Sequence, residues 1–242
     1  MNLPEFRNSA GERLDVTFHP GTKTDSLVIL GHGLTGNKDR PLLVALAEGL
    51  SARGWPCLRV SYSGHGASEG RFEDMTITKE IGDLQTILDA LPGDLKVAYC
   101  GHSMGGAVGV LTASQDDRIR VLVTLAGMVY TANFVEREFD FVTPGLGCMW
   151  DEPEHPLSVE FVDDLEAIDN TLEAASEIAA PWLLIHGTED DLIPVLDSED
   201  AHDTTHAPKK LVEIEGAGHA FEESGYARII DEVDVWLAAH LK

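Results

Sequence analysis

Three shortages bound this 242-residue chain before any motif is read. Cysteine is the first: Cys57, Cys100 and Cys148 are too few and too scattered for a disulfide framework or a zinc site. Cys57 and Cys100 stand inside apolar, strand-like runs and read as buried thiols. Basic residues are the second. Seventeen Lys and Arg face 42 Asp and Glu, and the net charge of −25 repels phosphate backbones and argues against a nucleic-acid partner. Long apolar runs are the third: no stretch approaches the ~20 residues a membrane helix needs. The opening Met1-Asn2-Leu3-Pro4-Glu5 has no basic-then-apolar pattern, so a cytoplasmic protein that meets no membrane is expected. The oligomeric state is left open, a homodimer being compatible with the composition.

What is present alternates. Leu3–Asn8 and Arg13–His19 read as an antiparallel opening hairpin across a Ser9-Ala10-Gly11 turn. Short apolar runs follow at Ser26–Leu30, Pro56–Ser61, Val97–Cys100, Ile119–Leu125, Pro181–Ile185 and Lys210–Ile214. Between them stand helical patterns at Pro41–Ser51 and Thr78–Leu91, one that runs to about Ser114, and a closing helix at Gly225–Leu241. Strands that alternate with helices imply a mostly parallel, doubly wound sheet whose reactive groups gather at the strands' carboxyl ends. The polar, glycine-rich segments fall at those ends, after Leu30, Ser61, Cys100, Ile185 and Ile214.

One of these segments carries a serine at an abrupt turn: Gly101-His102-Ser103-Met104-Gly105, with Gly106 and Ala107 behind it. A serine hydroxyl is a weak nucleophile unless it is exposed and beside a base. A tight strand-to-helix turn exposes it, and glycine two residues before and after permits the turn. The pentapeptide is too short to stand alone. A base is offered by Gly216-Ala217-Gly218-His219, and an acid by Gly187-Thr188-Glu189-Asp190-Asp191-Leu192-Ile193-Pro194, where spacing by itself does not separate Asp190 from Asp191.

With serine, acid and base in that chain order, the sequence resembles an α/β hydrolase of the serine-esterase type over nearly its whole length. The resemblance implies an α/β fold: a mostly parallel eight-stranded sheet with an antiparallel N-terminal hairpin, helices on both faces and a cap insertion. It assigns Ser103 as nucleophile, His219 as base and Asp190 as acid, three residues after the strand-end glycine. It also implies an oxyanion hole made by the backbone N–H groups of Met104 and of Leu34, in His32-Gly33-Leu34. Both are main-chain donors, which leaves their side chains free to shape the pocket. His32, His65, His102 and His186 are expected to tie loops together, and His202 and His206 to lie on a solvated surface. No metal or organic cofactor is implied.

The loops Gly33–Lys38 and Ser63–Thr76, with Lys79-Glu80-Ile81-Gly82-Asp83, further resemble the small bacterial cinnamoyl (feruloyl) esterases. Those enzymes commonly carry Gln after the nucleophile, where this chain has Met104. The implied activity is hydrolysis of small neutral or aryl esters, hydroxycinnamates among them, through an acyl-enzyme. A thioesterase, an acyltransferase or a small aminopeptidase would use the same three residues, and a hydrolase-fold receptor would retain them without turnover.

The core is expected at 1–127 and 181–242, with residues 128–180 as a cap or lid, since a connection of that length is too long for a plain loop. Phe134, Phe139, Phe141, Met149 and Trp150 are its candidate substrate-binding residues. The same segment holds 13 Asp and Glu and a single basic residue, Arg137. That acidity is expected to disfavour anionic substrates.

Overall fold

A computed structural model describes residues 3–242. Seven strands form one sheet: β1 (Asp15–His19), β2 (Ser26–Gly31), β3 (Cys57–Ser61), β4 (Lys96–His102), β5 (Ile119–Leu125), β6 (Trp182–Gly187) and β7 (Lys209–Ile214). Their order is β1-β3-β2-β4-β5-β6-β7, with β1 antiparallel to β3 and every other pairing parallel. The count is one strand below expectation. The first arm of the opening hairpin makes only a single bridge, Arg7 to Arg13. Asn8 closes the turn there, its side-chain oxygen accepting from the N–H groups of Ala10 and Glu12. Leu14 N–H still donates to the carbonyl of buried Phe6 at 2.9 Å, but Pro4 has no N–H with which to extend the ladder.

Alternation along the strands builds the two faces. In β2, Leu27 and Ile29 join one apolar cluster while Val28 and Leu30 join the other. In β6, Trp182 and Leu184 divide from Leu183 and Ile185 in the same way. Successive side chains of a strand point to opposite faces, so a strand buried on both sides feeds two cores and reads as a continuous apolar run.

Helices α1 (Pro41–Ala52) and α8 (Glu222–His240) pack together on one face. Helices α2 (Ile77–Ala90) and α3 (Met104–Ala113) pack together on the other. Thr76 caps α2 by accepting from the N–H of Lys79. Pro at the first position of α1 costs nothing there, since that N–H has no partner within the helix.

Between β5 and β6 the chain forms α4 (Thr131–Phe139), α5 (Val159–Ile168) and α6 (Leu172–Glu177), before α7 (Val195–Thr204) follows β6. α5 stops at Asp169, where φ is +61°, before α6 begins at Leu172. Phe134, Phe161 and Leu165 of this segment belong to the same apolar cluster as α2 and α3. No helix among the described residues is long and apolar enough to cross a membrane.

Candidate active site at the carboxyl ends of the strands

Ser103 stands between β4 and α3 with φ +56° and ψ −122°, outside the conformations a non-glycine residue adopts freely. Its backbone is clamped on three sides. Its N–H donates to Leu125 O at 2.9 Å, and its carbonyl accepts from Gly106 N at 2.8 Å and Met128 N at 3.1 Å. The flanking glycines are required by contact. A Cβ on Gly101 would lie 2.1 Å from Gly105 O, and one on Gly105 would lie 2.4 Å from His32 O.

Beneath the turn, a buried hydroxyl chain holds the start of α3. Tyr99 donates to Gly105 O at 2.9 Å, so the 2.6 Å contact between its oxygen and Tyr62 is a bond donated by Tyr62.

Asp190 and His219 meet. His219 Nδ1 lies 2.8 Å from Asp190 Oδ2, and the other carboxylate oxygen accepts from the N–H groups of Leu192 and Ile193 at 3.0 and 2.8 Å. Burial alone would raise the Asp190 pKa. The bonds from His186 and His219, the charge of His219 and the Ile193 amide together hold it well below the usual carboxylate range. Asp191 makes no such bond and lines the cavity instead.

The His219 loop is fixed at both ends. A Cβ on Gly187 would lie 2.3 Å from Ala217 O, so the strand-end glycine makes room for the loop. His102 Nε2 donates to the carbonyl of His219 at 2.9 Å. Burial, then the nearby charge of His219, pushes the His102 pKa down to about 3, which keeps it a neutral donor.

His32 is fixed as one tautomer. Its Nε2 accepts from Tyr62 N at 3.0 Å, so Nδ1 carries the proton and donates to Gly33 O at 2.9 Å. Gly33 is thereby held against the serine: a Cβ on it would lie 2.7 Å from Ser103 Cβ and 3.2 Å from Ser103 Oγ. The next N–H, that of Leu34, has no acceptor among the described residues. Met104 opens α3, where an N–H has no partner within the helix. Two free donors therefore flank the serine.

A cavity of about 620 Å³ is lined by Ser103, His219, Leu34, Phe134 and Trp150, with Arg40 and Tyr226 on its walls. No direct hydrogen bond joins Ser103 and His219 among the described residues; both open onto this one space. Such bonds commonly tighten only with substrate present.

Of the five aromatic or methionine residues expected to meet substrate, Phe134 and Trp150 line the cavity. Phe139 and Met149 are buried in the core, where they seat the segment rather than face the cavity. Phe141 is 99% exposed, beyond the end of α4, and has no wall to contribute. The Met104 side chain, expected to be free to shape the pocket, is fully buried under the turn.

None of the 13 acidic residues of 128–180 lines the cavity either. Arg40 and Tyr226 were not signalled by any motif. A lone Arg before the Pro of α1 and a Tyr inside α8 come to the serine only through the crossing of those two helices. His202 lies on α7 and His206 beyond its end, and no metal-binding group of three His, Cys, Asp or Glu occurs among the described residues.

Comparison with known proteins bears on the family and the fold. A profile described as the alpha/beta hydrolase fold matches residues 26–151, and one described as the prolyl oligopeptidase family matches residues 91–242. The human palmitoyl-protein thioesterase ABHD10, mitochondrial, is 26% identical over 206 residues, 80% of this chain and 64% of that protein. The chain thus spans less than two thirds of that relative's length. The monoacylglycerol lipase of Mycolicibacterium smegmatis is 25% identical over 260 residues, covering 92% of this chain and 91% of the lipase. Among solved structures, Est1E from Butyrivibrio proteoclasticus with ferulic acid bound superposes with a TM-score of 0.83 at 24% identity, covering 98% of this chain and 99% of that one.

Proposed function

The chain belongs to the alpha/beta hydrolase fold family, and we propose that it acts there as a serine carboxylester hydrolase. One observation carries the reading. The charge-assisted Asp190–His219 pair at 2.8 Å opens onto the same cavity as Ser103, which is held in a strained conformation at a strand-to-helix turn.

In this mechanism His219 Nε2 takes the proton of Ser103 as Oγ attacks the ester carbonyl. The carbonyl oxygen, now negative, moves between the amides of Leu34 and Met104. His219 then protonates the departing alcohol, and a water activated by the same nitrogen hydrolyses the acyl-enzyme. Asp190 keeps the proton on Nδ1 of His219 and stabilises the imidazolium while it lasts. The residues 128–180 act as a cap that brings Phe134 and Trp150 over the acyl group.

Small neutral or aryl esters suit the apolar wall, and hydroxycinnamate esters are included because the Met104 side chain stays out of the cavity. Similarity to a thioesterase and the match to the prolyl oligopeptidase profile favour a second reading, in which the same acyl-enzyme forms from a thioester or a peptide.

The test is a panel of p-nitrophenyl esters from acetate to octanoate with methyl ferulate, an acyl thioester and an aminoacyl anilide. It is run on the wild type and Ser103→Ala, with intact-mass detection of the acyl-enzyme. Turnover that Ser103→Ala abolishes, with an acyl adduct on the wild type, is expected. Equal activity in the mutant overturns the mechanism, and a thioester or anilide preferred by tenfold over every ester moves the reading to the second one.

A further inference from the structure

Arg40 is an exposed cation with no carboxylate partner among the described residues. The protein carries 42 carboxylates against 17 Lys and Arg, yet Arg40 makes no ion pair among the described residues. The neighbouring Asp39 is occupied by Lys38 and by Arg59, at 2.8 Å in each case. The single hydrogen bond of the Arg40 side chain runs from Nη2 to Thr35 O at 3.0 Å. A guanidinium offers five N–H donors, so most remain free.

Position makes the vacancy meaningful. Among the described residues, Arg40 is the only Lys or Arg that lines the cavity holding Ser103 and His219. Its backbone is held from both sides, with its N–H donating to Asn37 O at 3.2 Å and its carbonyl accepting from Val44 N at 3.1 Å. As the residue that caps α1, it also has the positive end of that helix behind it. The walls also include the apolar Phe134 of α4 and Trp150 of the segment that follows it, and Asp191 is the only carboxylate among the described residues that line the cavity. The cavity walls therefore carry one guanidinium, Arg40, and one carboxylate, Asp191. The large negative charge of the protein lies on other surfaces.

We infer that Arg40 is a specificity-determining residue that receives a carboxylate carried by the substrate a few bonds from the scissile ester. The preferred class is then half-esters of dicarboxylic acids and hydroxy or phenolic acids acylated on their hydroxyl, both of which keep a free carboxylate, rather than wholly neutral esters. A planar guanidinium accepts a carboxylate through two parallel bonds, and such charge-assisted pairs are the stronger hydrogen bonds of proteins. Asp191 would repel the same group, which leaves Arg40 as its partner on the cavity walls. This inference rests on the esterase reading above.

The experiment compares three esters at low ionic strength. p-Nitrophenyl butyrate is the neutral reference, p-nitrophenyl hydrogen glutarate places the carboxylate on the acyl side, and 3-acetoxybenzoate places it on the leaving group. Wild type, Arg40→Gln and Arg40→Lys are measured, with circular dichroism to establish that each is folded.

For at least one charged ester, kcat/KM relative to the neutral ester is expected to fall about tenfold in Arg40→Gln, chiefly through KM, with Arg40→Lys intermediate. Added 0.5 M NaCl should narrow the gap between wild type and Arg40→Gln, because a partly exposed pair is screened. Which charged ester responds locates the carboxylate. Ratios within twofold of wild type for both charged esters in Arg40→Gln overturn the inference while the esterase reading stands. Absence of turnover on all three removes the esterase reading and this one with it.

Discussion

His186 Nε2 lies 3.3 Å from Asp190 Oδ2, the same oxygen that meets His219 Nδ1 at 2.8 Å. His186 Nε2 also meets Ile193 O at 2.9 Å. Two acceptors face that nitrogen, so it carries the proton, and Nδ1 accepts from Ser198 Oγ at 2.7 Å. His186 thus helps to fix the carboxylate, while His219 is left with its second nitrogen facing the cavity.

This geometry separates Asp190 from Asp191, which adjacent positions in the sequence do not. Asp190→Asn should lower kcat by about 10³- to 10⁴-fold, because an amide there favours the wrong tautomer of His219. Asp191→Asn should stay within about tenfold of wild type, as a change to a cavity wall outside the proton relay. Steady-state kinetics with one p-nitrophenyl ester measures both, and equal losses would remove Asp190 from its special role.

Gly33 packs directly against Ser103, the proposed nucleophile. Gly33→Ala puts a methyl group 2.7 Å from Ser103 Cβ, so either the loop or the serine has to move. Displacing one oxyanion donor costs about 10²- to 10³-fold in kcat. That loss is expected with a melting temperature near wild type, since the strain falls on a loop at the cavity. A variant with wild-type kcat would show that Leu34 N–H takes no part.

Tyr99→Phe removes the donor to Gly105 O and leaves both that carbonyl and the Tyr62 hydroxyl buried with one partner fewer. An unsatisfied buried polar group costs about 1–3 kcal/mol. For a chain of this length that corresponds to a drop of roughly 2–12 °C in melting temperature. Calorimetry of the variant checks it, and kcat should fall as well, because the hydroxyl chain supports the first turn of α3.

Glu80 supplies the pH-dependent test. It is 1% exposed, and burial pushes its pKa up to about 7, against the lowering influence of His65. The folded state therefore binds the proton more tightly than the unfolded state does. Its contribution to stability declines as pH rises from about 4.5 to about 7, by about 3 kcal/mol over that window. Burial lowers the pKa of His32 and His102 and tilts the same region the other way, so the comparison is made against Glu80→Gln. Urea melts from pH 5 to 8 should show the variant gaining on the wild type as pH rises. A constant difference between the two would rule the effect out.

The sequence by itself determined the sheet and the order of the reactive groups. A strand buried on both faces reads as an apolar run, and β2, Ser26–Gly31, is buried at every position as its composition implies. A sharp turn must have glycine where backbones touch, which made Gly101 and Gly105 legible around Ser103. The strand-end segments of Leu34, Asp190 and His219 were legible for the same reason, since short loops leave little freedom in where their residues lie. The missing eighth strand, Phe141 in solvent and Met104 in the core were not legible, because an apolar residue reads alike whether it faces a core, a cavity or water.

Only the tertiary structure decided what surrounds the serine. Arg40 lies 63 residues from Ser103 in the chain and Tyr226 lies 123 beyond it, yet the packing of α1 against α8 brings both to one cavity. The acidity of 128–180 turns away from that cavity for an equally physical reason. Its apolar side chains had to be buried against the core, and the charged ones were left to face water.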